Sequence, residues 1–413
     1  MQTILDVSLL GQGHYHQKAR TGVFRVVENM VSFLPKISSD LELTFVDNLD
    51  LSSTFGYLKT HFIEAEFKFL NDNYQVSNAK FQNKVLSFLP YNSLPQKLIK
   101  RIFYQLNSKK YHFRDEIIAK SNLYHSPYFA IPKQIQDAKN LKKLITIHDL
   151  IPIKYPHFFE NKTDNVVHQI INSIQTDNFV VCVSESTKLD LLEVSKLNES
   201  QVFVVPLAAS KELFYPVSEQ KIINQKLQKF GIPVDQPYFL SISTLEPRKN
   251  IDAIIKSFAD LVLQEKILDL NLVLVGTKGW DFDKIFEAIS PKIKNRIFFT
   301  GYVPDEDLAA LYSGALSFVY MSFCEGFGLP PLEAMQCGTP VICSNTTSIP
   351  EVVGNAGILV SPTNQNDLSD AMLQIYKSHD YREQLIQSSL QRAELFSWQK
   401  FAEETWKVYK KLN

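Results

Sequence analysis

Short hydrophobic stretches alternate with amphipathic ones along almost the whole chain. The hydrophobic stretches are rich in β-branched and aromatic residues at consecutive positions, which is typical of parallel strands buried on both faces. They include 3–7, 144–148, 179–183, 202–205, 238–242, 272–275, 296–299 and 315–319. Helical periodicity fills the intervening stretches, for example 251–263, 282–288, 305–312 and 368–376. This alternation predicts an α/β fold with parallel sheets.

The pattern also predicts where the chain divides. One series of strands ends near residue 205, a polar helix over 219–229 follows, and a new series opens at Tyr238. We therefore expect two domains, 1–214 and 215–395, each of ordinary size for a doubly wound sheet. A final amphipathic helix, 396–413, carries aromatic residues that must be buried on its own domain or across on the other.

Composition excludes several classes to which the protein could belong. Lys and Arg number 43 against 44 Asp and Glu, giving a net charge of −1, so nucleic acid is not an expected partner. The N-terminal residues lack the basic region of a signal peptide, and no hydrophobic run approaches the ~20 residues that cross a bilayer. The cysteines form no metal-ligand pattern, and buried thiols are expected. These observations favour a cytoplasmic protein.

The segment 325–343 carries the most specific chemistry. Gly326 and Gly328 permit a close approach of the backbone to a ligand, and the two prolines that follow suit the first turn of a helix. A strand resumes after the helix. A glycine loop that leads into a helix at the carboxyl end of a parallel strand favours anion binding. Two carboxylates, Glu325 and Glu333, flank the loop.

A second segment supplies positive charge. Residues 243–250 follow the strand 238–242 directly and precede a helix, and they contain Arg248 and Lys249. Cations at the start of a helix oppose its dipole, so an ordinary surface role is less favoured than binding of an anion. A sugar nucleotide needs cations and backbone amides for its diphosphate and carboxylates for its hydroxyl groups.

Together these strings resemble the retaining glycosyltransferases of family four, in the form of bacterial mannosyltransferase-like members. The segment 325–333 is similar to the family's signature of two glutamates separated by seven residues, and 243–250 is similar to its diphosphate-binding turn. Further similar strings are 19–25, 125–127, 147–152, 183–186, 274–276, 299–303 and 349–353. Residues 50–115 contain no such string. The resemblance implies the GT-B fold of two facing Rossmann-like domains, with donor binding in the second domain and acceptor binding in the first.

The resemblance also implies roles for individual residues. Glu333 would accept ribose hydroxyls and Glu325 would face the transferred sugar, while Arg248 and Lys249 would hold the diphosphate. The remaining donor-binding residues would be backbone groups around the glycine loop, the nucleobase pocket and a loop that closes over the donor, namely Gly326, Phe327, Gly328, Leu329, Tyr302, Val303 and Gly22. Thr244 stands where many members have an arginine, so we expect Arg248 to supply that charge.

Three further assignments concern the first domain. His148 ends a buried strand, where a structural histidine is common, but its match to the family favours a contact with the sugar, and we count it among the catalytic residues. His125 is assigned to the acceptor side. Arg20 and Arg25 near Gly22 are either phosphate contacts or ordinary surface charges.

The resemblance implies transfer of a hexose from a nucleotide-sugar to a hydroxyl of a glycan or of a lipid-linked oligosaccharide, with retention of anomeric configuration. Mannose from GDP-mannose is the expected donor, with GDP-sugars favoured over UDP-sugars. No metal or cofactor is expected, because the acidic pairs at 281–283 and 305–307 begin amphipathic helices rather than end strands. An epimerase or hydrolase of nucleotide-sugars on the same fold is the alternative.

Residues 94–114 leave two interpretations open. Leu94, Leu98, Ile102 and Leu106 share one face of a helix, and basic residues lie off that stripe. The first interpretation is a surface helix that packs its hydrophobic face on the domain. The second is a helix that contacts an anionic membrane carrying a lipid-linked acceptor.

Overall fold

The computed structural model describes residues 1–15, 20, 22–62, 67–90, 93–106, 111–159, 165–277, 279 and 290–413. These residues form two α/β units, each built on a six-stranded sheet. The strands of the first sheet all precede residue 205 and those of the second all follow residue 237, so the sheets lie on either side of the domain boundary predicted at residue 214.

The first sheet is parallel throughout and has the strand order β2-β1-β3-β4-β5-β6. Its strands are β1 Gln2–Asp6, β2 Glu42–Val46, β3 Leu123–Ser126, β4 Lys142–Ile147, β5 Phe179–Cys182 and β6 Val202–Val204. The helices of this part are α1 Ser8–Tyr15, α2 Gly22–Ile37, α3 Leu51–His61, α4 Asn73–Ser87, α5 Leu94–Leu106, α6 Asp115–Lys120, α7 Lys133–Gln136, α8 Ile151–Lys154, α9 Val166–Ser173 and α10 Glu185–Val194.

The second sheet is also parallel, in the order β12-β11-β10-β7-β8-β9. Its strands are β7 Tyr238–Ile242, β8 Asn271–Val275, β9 Ile297–Gly301, β10 Ser317–Tyr320, β11 Val341–Ser344 and β12 Ile358–Val360. The helices are α11 Gln220–Lys229, α12 Ile251–Gln264, α13 Asp305–Ser313, α14 Leu329–Gln336, α15 Ile349–Val353, α16 Gln365–Lys377, α17 His379–Ala393 and α18 Trp398–Leu412. Short 3₁₀ segments are Pro156–Phe158, Glu199–Gln201, Pro247–Lys249 and Lys294–Arg296.

The strand order of the second sheet determines where a ligand can bind. β7 and β10 are neighbours, and the chain leaves them toward opposite sides of the sheet. In open parallel sheets, ligands bind at the carboxyl ends of such a pair, because the loops diverge there and leave a crevice. The loop after β7 contains Arg248 and Lys249, and the loop after β10 contains Glu325. The fold therefore brings the two predicted segments together.

The C-terminal helix α18 returns to the first domain and packs against α2. The Tyr409 hydroxyl lies 2.7 Å from the His125 ring of β3, and the Lys411 ammonium lies 5.0 Å from the centre of the Phe203 ring. Trp398 and Phe401 are buried. Tyr409 is buried too, while Trp406 is half-buried, so most of the aromatic residues of the last helix are buried as expected, and the helix crosses back to the first domain.

The hydrophobic stripe of α5 does not pack on the domain. Leu94, Leu98 and Ile102 are 77%, 62% and 53% exposed, whereas Gln96 on the opposite face is buried. The Leu106 side chain and residues 107–110 of the predicted basic segment lie outside the described residues. The first interpretation of this helix, an inward-facing stripe, is therefore wrong for its first two turns.

The four cysteines are all buried and free, which confirms the prediction of buried thiols. No helix among the described residues combines the length and the hydrophobicity that crossing a lipid bilayer requires.

Candidate active site

Glu325 is the centre of a compact ionic cluster in the second domain. Its Oε1 atom lies 2.5 Å from Lys249 Nζ, 3.0 Å from Arg248 Nη1 and 2.7 Å from the Tyr320 hydroxyl. Burial raises the pKa of the Glu325 carboxyl, but the charges on Lys249 and Arg248 outweigh burial and lower this pKa to about 2. Glu325 is therefore ionised at any physiological pH.

The two cations are positioned by a tight turn after β7. Asn250 adopts a left-handed conformation with φ of 55°, and its side-chain amide donates to the Pro362 carbonyl at 2.7 Å, which ties the turn to the domain. Arg248 also donates to the Cys324 carbonyl at 2.8 Å and pairs with Glu246 at 2.9 Å. Burial lowers the pKa of the Lys249 ammonium, and Glu325 opposes that effect. Both cations thus face the loop after β10.

The glycine loop leads into α14 as the sequence predicts. Gly328 has φ of 122°, a conformation that favours glycine, and the helix begins at Leu329 with no side chain capping it. Gly22 at the start of α2 lies against the Leu329 side chain. Phe327 is buried. An uncapped helix start beside two cations can accommodate an anionic group.

Gly326 is held against the first domain. A Cβ atom at this position would lie only 1.9 Å from the His148 carbonyl oxygen, so only glycine fits the observed approach. The Gly326 carbonyl accepts hydrogen bonds from Ser184 Oγ at 2.7 Å and from Thr187 Oγ1 at 3.1 Å. Closure of the two domains therefore positions the loop that carries Glu325.

Glu351 makes a second contact between the domains. Its carboxylate accepts from the backbone amides of Glu185 and Ser186, both at 2.8 Å, and so caps the start of α10 from the other domain. Both segments belong to strings that resemble the family, but the sequence indicates no role for Glu351 or for the amides of Glu185 and Ser186. Sequence could indicate only the start of α10, since Ser184 is a typical N-cap residue. Nothing near Glu351 in the sequence marks it as the partner of that helix.

Glu333 is paired with an arginine from the first domain. Arg25 Nη1 lies 3.0 Å from Glu333 Oε1, Arg25 Nη2 lies 2.6 Å from Asp305 Oδ2, and the Tyr312 hydroxyl donates to Glu333 at 3.2 Å. Burial raises the pKa of Glu333, while Arg25 opposes that effect. Arg25 is therefore not an ordinary surface charge, and in this conformation it is not free to bind a phosphate. It connects the two domains at Glu333, the carboxylate predicted to bind ribose.

The remaining predicted donor residues lie around the same crevice. Thr244 is exposed in the turn that follows β7. Tyr302 is 44% exposed after β9, and Val303 beside it is buried. Because Tyr302 lies in the short connection that leads from β9 to Asp305 at the start of α13, the predicted nucleobase pocket is close to the Arg25–Asp305 pair.

The two histidines differ in their surroundings. His148 directs Nε2 at the Pro127 carbonyl, 2.8 Å away, and burial lowers its pKa to about 4, so the ring is neutral and donates this proton. His125 is 1% exposed, and both ring nitrogens are engaged, one by Tyr409 and the other by Thr146 at 2.8 Å. The acceptor-side assignment of His125 does not fit this placement, because neither nitrogen is accessible to a substrate. A buried histidine bonded to the last helix could not be recognised from sequence.

The two aspartates of the acidic pair at 305–307 both form ion pairs with basic side chains of the protein itself. Asp305 pairs with Arg25, and Asp307 pairs with Lys226 and, at 2.5 Å, with Lys229. Both aspartates begin α13, as the sequence predicts. The pair at 281–283 and the helix predicted over 282–288 lie outside the described residues.

Comparisons with known proteins show similarity in sequence and in fold. A family model described as "Glycosyl transferases group 1" matches residues 223–392. The O-antigen chain mannosyltransferase B of Escherichia coli is 34% identical over 295 residues, which is 71% of this chain and 75% of that protein.

Two solved structures share the architecture over nearly their whole length. Sucrose-phosphate synthase from Thermosynechococcus elongatus aligns over 100% of this chain and 99% of its own, with a TM-score of 0.65 and 21% identity. Anabaena Alr3699/HepE in complex with UDP aligns over 99% of both chains, with a TM-score of 0.66 and 15% identity. These likenesses show the fold, and they confirm the prediction of a GT-B architecture.

Proposed function

Because the chain belongs to the glycosyl transferases of group 1 and is a glycosyltransferase, we propose that it transfers mannose from GDP-mannose to a hydroxyl group of a glycan or lipid-linked oligosaccharide acceptor. The transfer proceeds with retention of configuration and without a metal ion. The observation that carries the proposal is the meeting of Arg248, Lys249 and Glu325 beside the glycine loop, at the point where the strand order of the second sheet reverses.

Each group has a task that its surroundings support. Arg248 and Lys249 neutralise the departing diphosphate, with the amides of 326–329 as further donors. Glu325, kept ionised by those cations, stabilises positive charge on the sugar. Glu333 accepts the ribose hydroxyls. His148, whose Nδ1 is the ring nitrogen not directed at Pro127, contacts the sugar.

Retention follows from the same arrangement. The leaving diphosphate and the attacking hydroxyl lie on one face of the sugar, so a diphosphate oxygen accepts the acceptor's proton and no separate base is needed. Closure of the domains at Gly326 and Glu351 excludes water and so suppresses hydrolysis. Proton NMR of the product formed in the first minutes tests this, because an α-linked product supports retention and a β-linked product contradicts it.

Mannose is favoured by the name of the E. coli relative, and GDP by the Glu-Pro-Arg-Lys-Asn form of the turn at 246–250. Thermal-shift measurements with GDP, UDP, ADP and TDP and their sugars test the donor. A selective donor at 100 times its Kd should add about 2.7 kcal/mol of stability. Stabilisation by UDP-sugars alone would contradict the GDP assignment.

An epimerase or hydrolase of nucleotide-sugars remains the second candidate, and it is not favoured by the named relative. The proposed transferase and an epimerase or hydrolase differ in their need for an acceptor. With GDP-mannose and no acceptor, a transferase releases GDP slowly and accelerates when acceptor is added. Fast, acceptor-independent release of GDP or formation of an epimer would favour the second candidate.

We further propose that α5 holds the enzyme at the cytoplasmic face of a membrane. The stripe Leu94, Leu98 and Ile102 is exposed, and basic residues including Lys97 and Arg101 flank it. The double variant Leu98→Asp, Ile102→Asp should lose salt-sensitive flotation with phosphatidylglycerol vesicles. Leu268→Asp, at an exposed leucine of the second domain, is the matched control. Equal flotation of both variants would contradict the proposal.

A further inference from the structure

We propose that a cavity in the first domain, distant in sequence from the donor-binding segments, binds the neutral sugar units of the acceptor that precede the reacting one. This inference rests on the proposed function. The cavity has a volume of about 790 Å³, within the usual range for small-ligand sites. Residues that line it include Asn48, Asp50, Phe103, Tyr111, Lys133 and Asp137.

Part of the lining of the cavity lies at the edge of the sheet that faces the donor loop. Asn48 and Asp50 follow the carboxyl end of β2, and Lys133 belongs to the connection that leaves β3. His148 follows β4 and Ser184 follows β5, and these two contact Gly326 of the donor loop. Since the carboxyl ends of parallel strands lie at one edge, a chain of sugars can extend along that edge from the donor loop toward the cavity.

The lining has the chemistry of a carbohydrate site. Phe103 and Tyr111 offer aromatic faces on which the apolar face of a sugar ring can stack. Around them lie amide, hydroxyl and carboxylate groups that can bond to sugar hydroxyls. Tyr111 is fixed in place, because its hydroxyl accepts from the Leu51 amide at 3.2 Å and donates to the Leu49 carbonyl at 3.2 Å. A fixed ring reduces the entropy lost on binding.

The charges of the lining indicate a neutral ligand. Asp50 pairs with Lys100 at 3.6 Å, while Asp137 and Lys133 are exposed and have no ion-pair partner within the part of the chain that the structure describes. The negative charges of the two aspartates and the positive charges of the two lysines cancel, so the cavity has no excess of positive charge that would bind a diphosphate. A neighbouring cavity differs in this respect, since Lys59, Lys80 and Lys84 line it without any carboxylate.

The origin of the lining in the sequence supports the same assignment. Much of it comes from residues 50–115, the stretch that contains no string similar to the family, whereas the family model matches only 223–392. The family match therefore covers donor-binding segments. Recognition of the acceptor is expected to reside in a stretch outside those segments.

Isothermal titration of neutral tetrasaccharides, one of α-linked mannose and one of N-acetylglucosamine, tests the cavity without any transfer reaction. We expect one of them to bind, and expect Phe103→Ala and Asp137→Ala each to weaken it about 10-fold, equivalent to 1.4 kcal/mol. Lys84→Ala, in the neighbouring cavity, should bind like the wild type. Thermal unfolding confirms that the variants fold. A second aromatic variant, Tyr111→Phe, should bind more weakly than the wild type but more tightly than Phe103→Ala, because its ring remains while the hydroxyl that fixes it is lost.

Three results would overturn the proposal: binding of neither tetrasaccharide to the wild type, binding by both Phe103→Ala and Asp137→Ala as tight as that of the wild type, or displacement of the bound glycan by inorganic pyrophosphate. The proposed function is tested separately by release of GDP from GDP-mannose, which these cavity variants should leave unchanged in the absence of acceptor. Loss of glycan binding with intact GDP release supports the cavity.

Discussion

Gly326→Ala tests whether the closed arrangement of the two domains is the reactive one. The added Cβ atom would lie 1.9 Å from the His148 carbonyl oxygen and 2.8 Å from Asp149 Cβ, both in the other domain. Carbon–oxygen contacts under 3.0 Å are essentially never seen at a Cβ atom, so the loop and His148 must separate by at least 1.1 Å. That displacement also stretches the 2.7 Å hydrogen bond from Ser184 beyond bonding distance.

A misplacement of about 1 Å costs on the order of 100-fold in rate, because catalysis depends on near-attack geometry. We therefore expect Gly326→Ala to lower kcat for transfer about 100-fold. Donor binding should change little, since Arg248, Lys249 and Glu333 all belong to the second domain and can move with the loop. Initial rates of GDP release with acceptor, together with the donor Kd from titration calorimetry, separate the two effects.

Gly231→Ala is the matched control. Gly231 has φ of 70° and no atom within 4 Å of the position of a Cβ atom, so this change strains the backbone without a collision. It should cost about 1 kcal/mol of stability and leave kcat intact. Wild-type kcat in Gly326→Ala, with the fold intact, would refute the view that contact between Gly326 and His148 belongs to the reactive conformation.

Three further predictions follow from the site. Lys249→Ala and Glu333→Ala should each lower kcat/KM about 100-fold or more in the transfer assay, the scale for one lost electrostatic contact, and near-normal transfer by both would refute the site. Glu351→Gln weakens the cap on α10 by about 1.5 kcal/mol, so kcat should fall about 10-fold with an unchanged donor Kd, and unchanged kcat would show that the cap is dispensable. Burial lowers the pKa of His148 to about 4, so the unfolded chain takes up the proton first as the pH falls below 6.5. Stability should therefore decline by about 2 kcal/mol between pH 7 and pH 5 through this group, and a pH series of thermal unfolding should be flatter for His148→Asn than for the wild type.

The fold was predictable wherever burial leaves a hydrophobic pattern. Strands buried on both faces, such as β7 and β8, are continuous hydrophobic runs and were located within a residue or two. Three strands were missed. β3 reads Leu-Tyr-His-Ser, and its histidine is satisfied only by Thr146 and the last helix, a context that sequence alone does not display. β12 has three residues, and β2 alternates polar and hydrophobic positions at the sheet's edge.

The candidate site, like the fold, could be predicted from the sequence only in part. Arg248, Lys249 and Glu325 were found because glycine, proline and charge spacing report local geometry, and the strand order then brings the two loops together. For Arg25 the sequence leaves open a phosphate contact or a surface charge, and for Glu351 it indicates no role, because their partners lie across the domain interface. A contact between residues 308 apart in sequence leaves no local pattern, so the closure contacts emerge only from the assembled fold.

The central claim is that a nucleoside diphosphate is held between Arg248, Lys249 and the turn at 326–329, with its ribose at Glu333. A crystal structure with GDP tests it most directly. We predict diphosphate oxygens within hydrogen-bond distance of both cations and of the turn's amides, and a ribose hydroxyl on the Glu333 carboxylate. GDP bound elsewhere, with both cations still committed to Glu325 and Arg25 still on Glu333, would contradict the account.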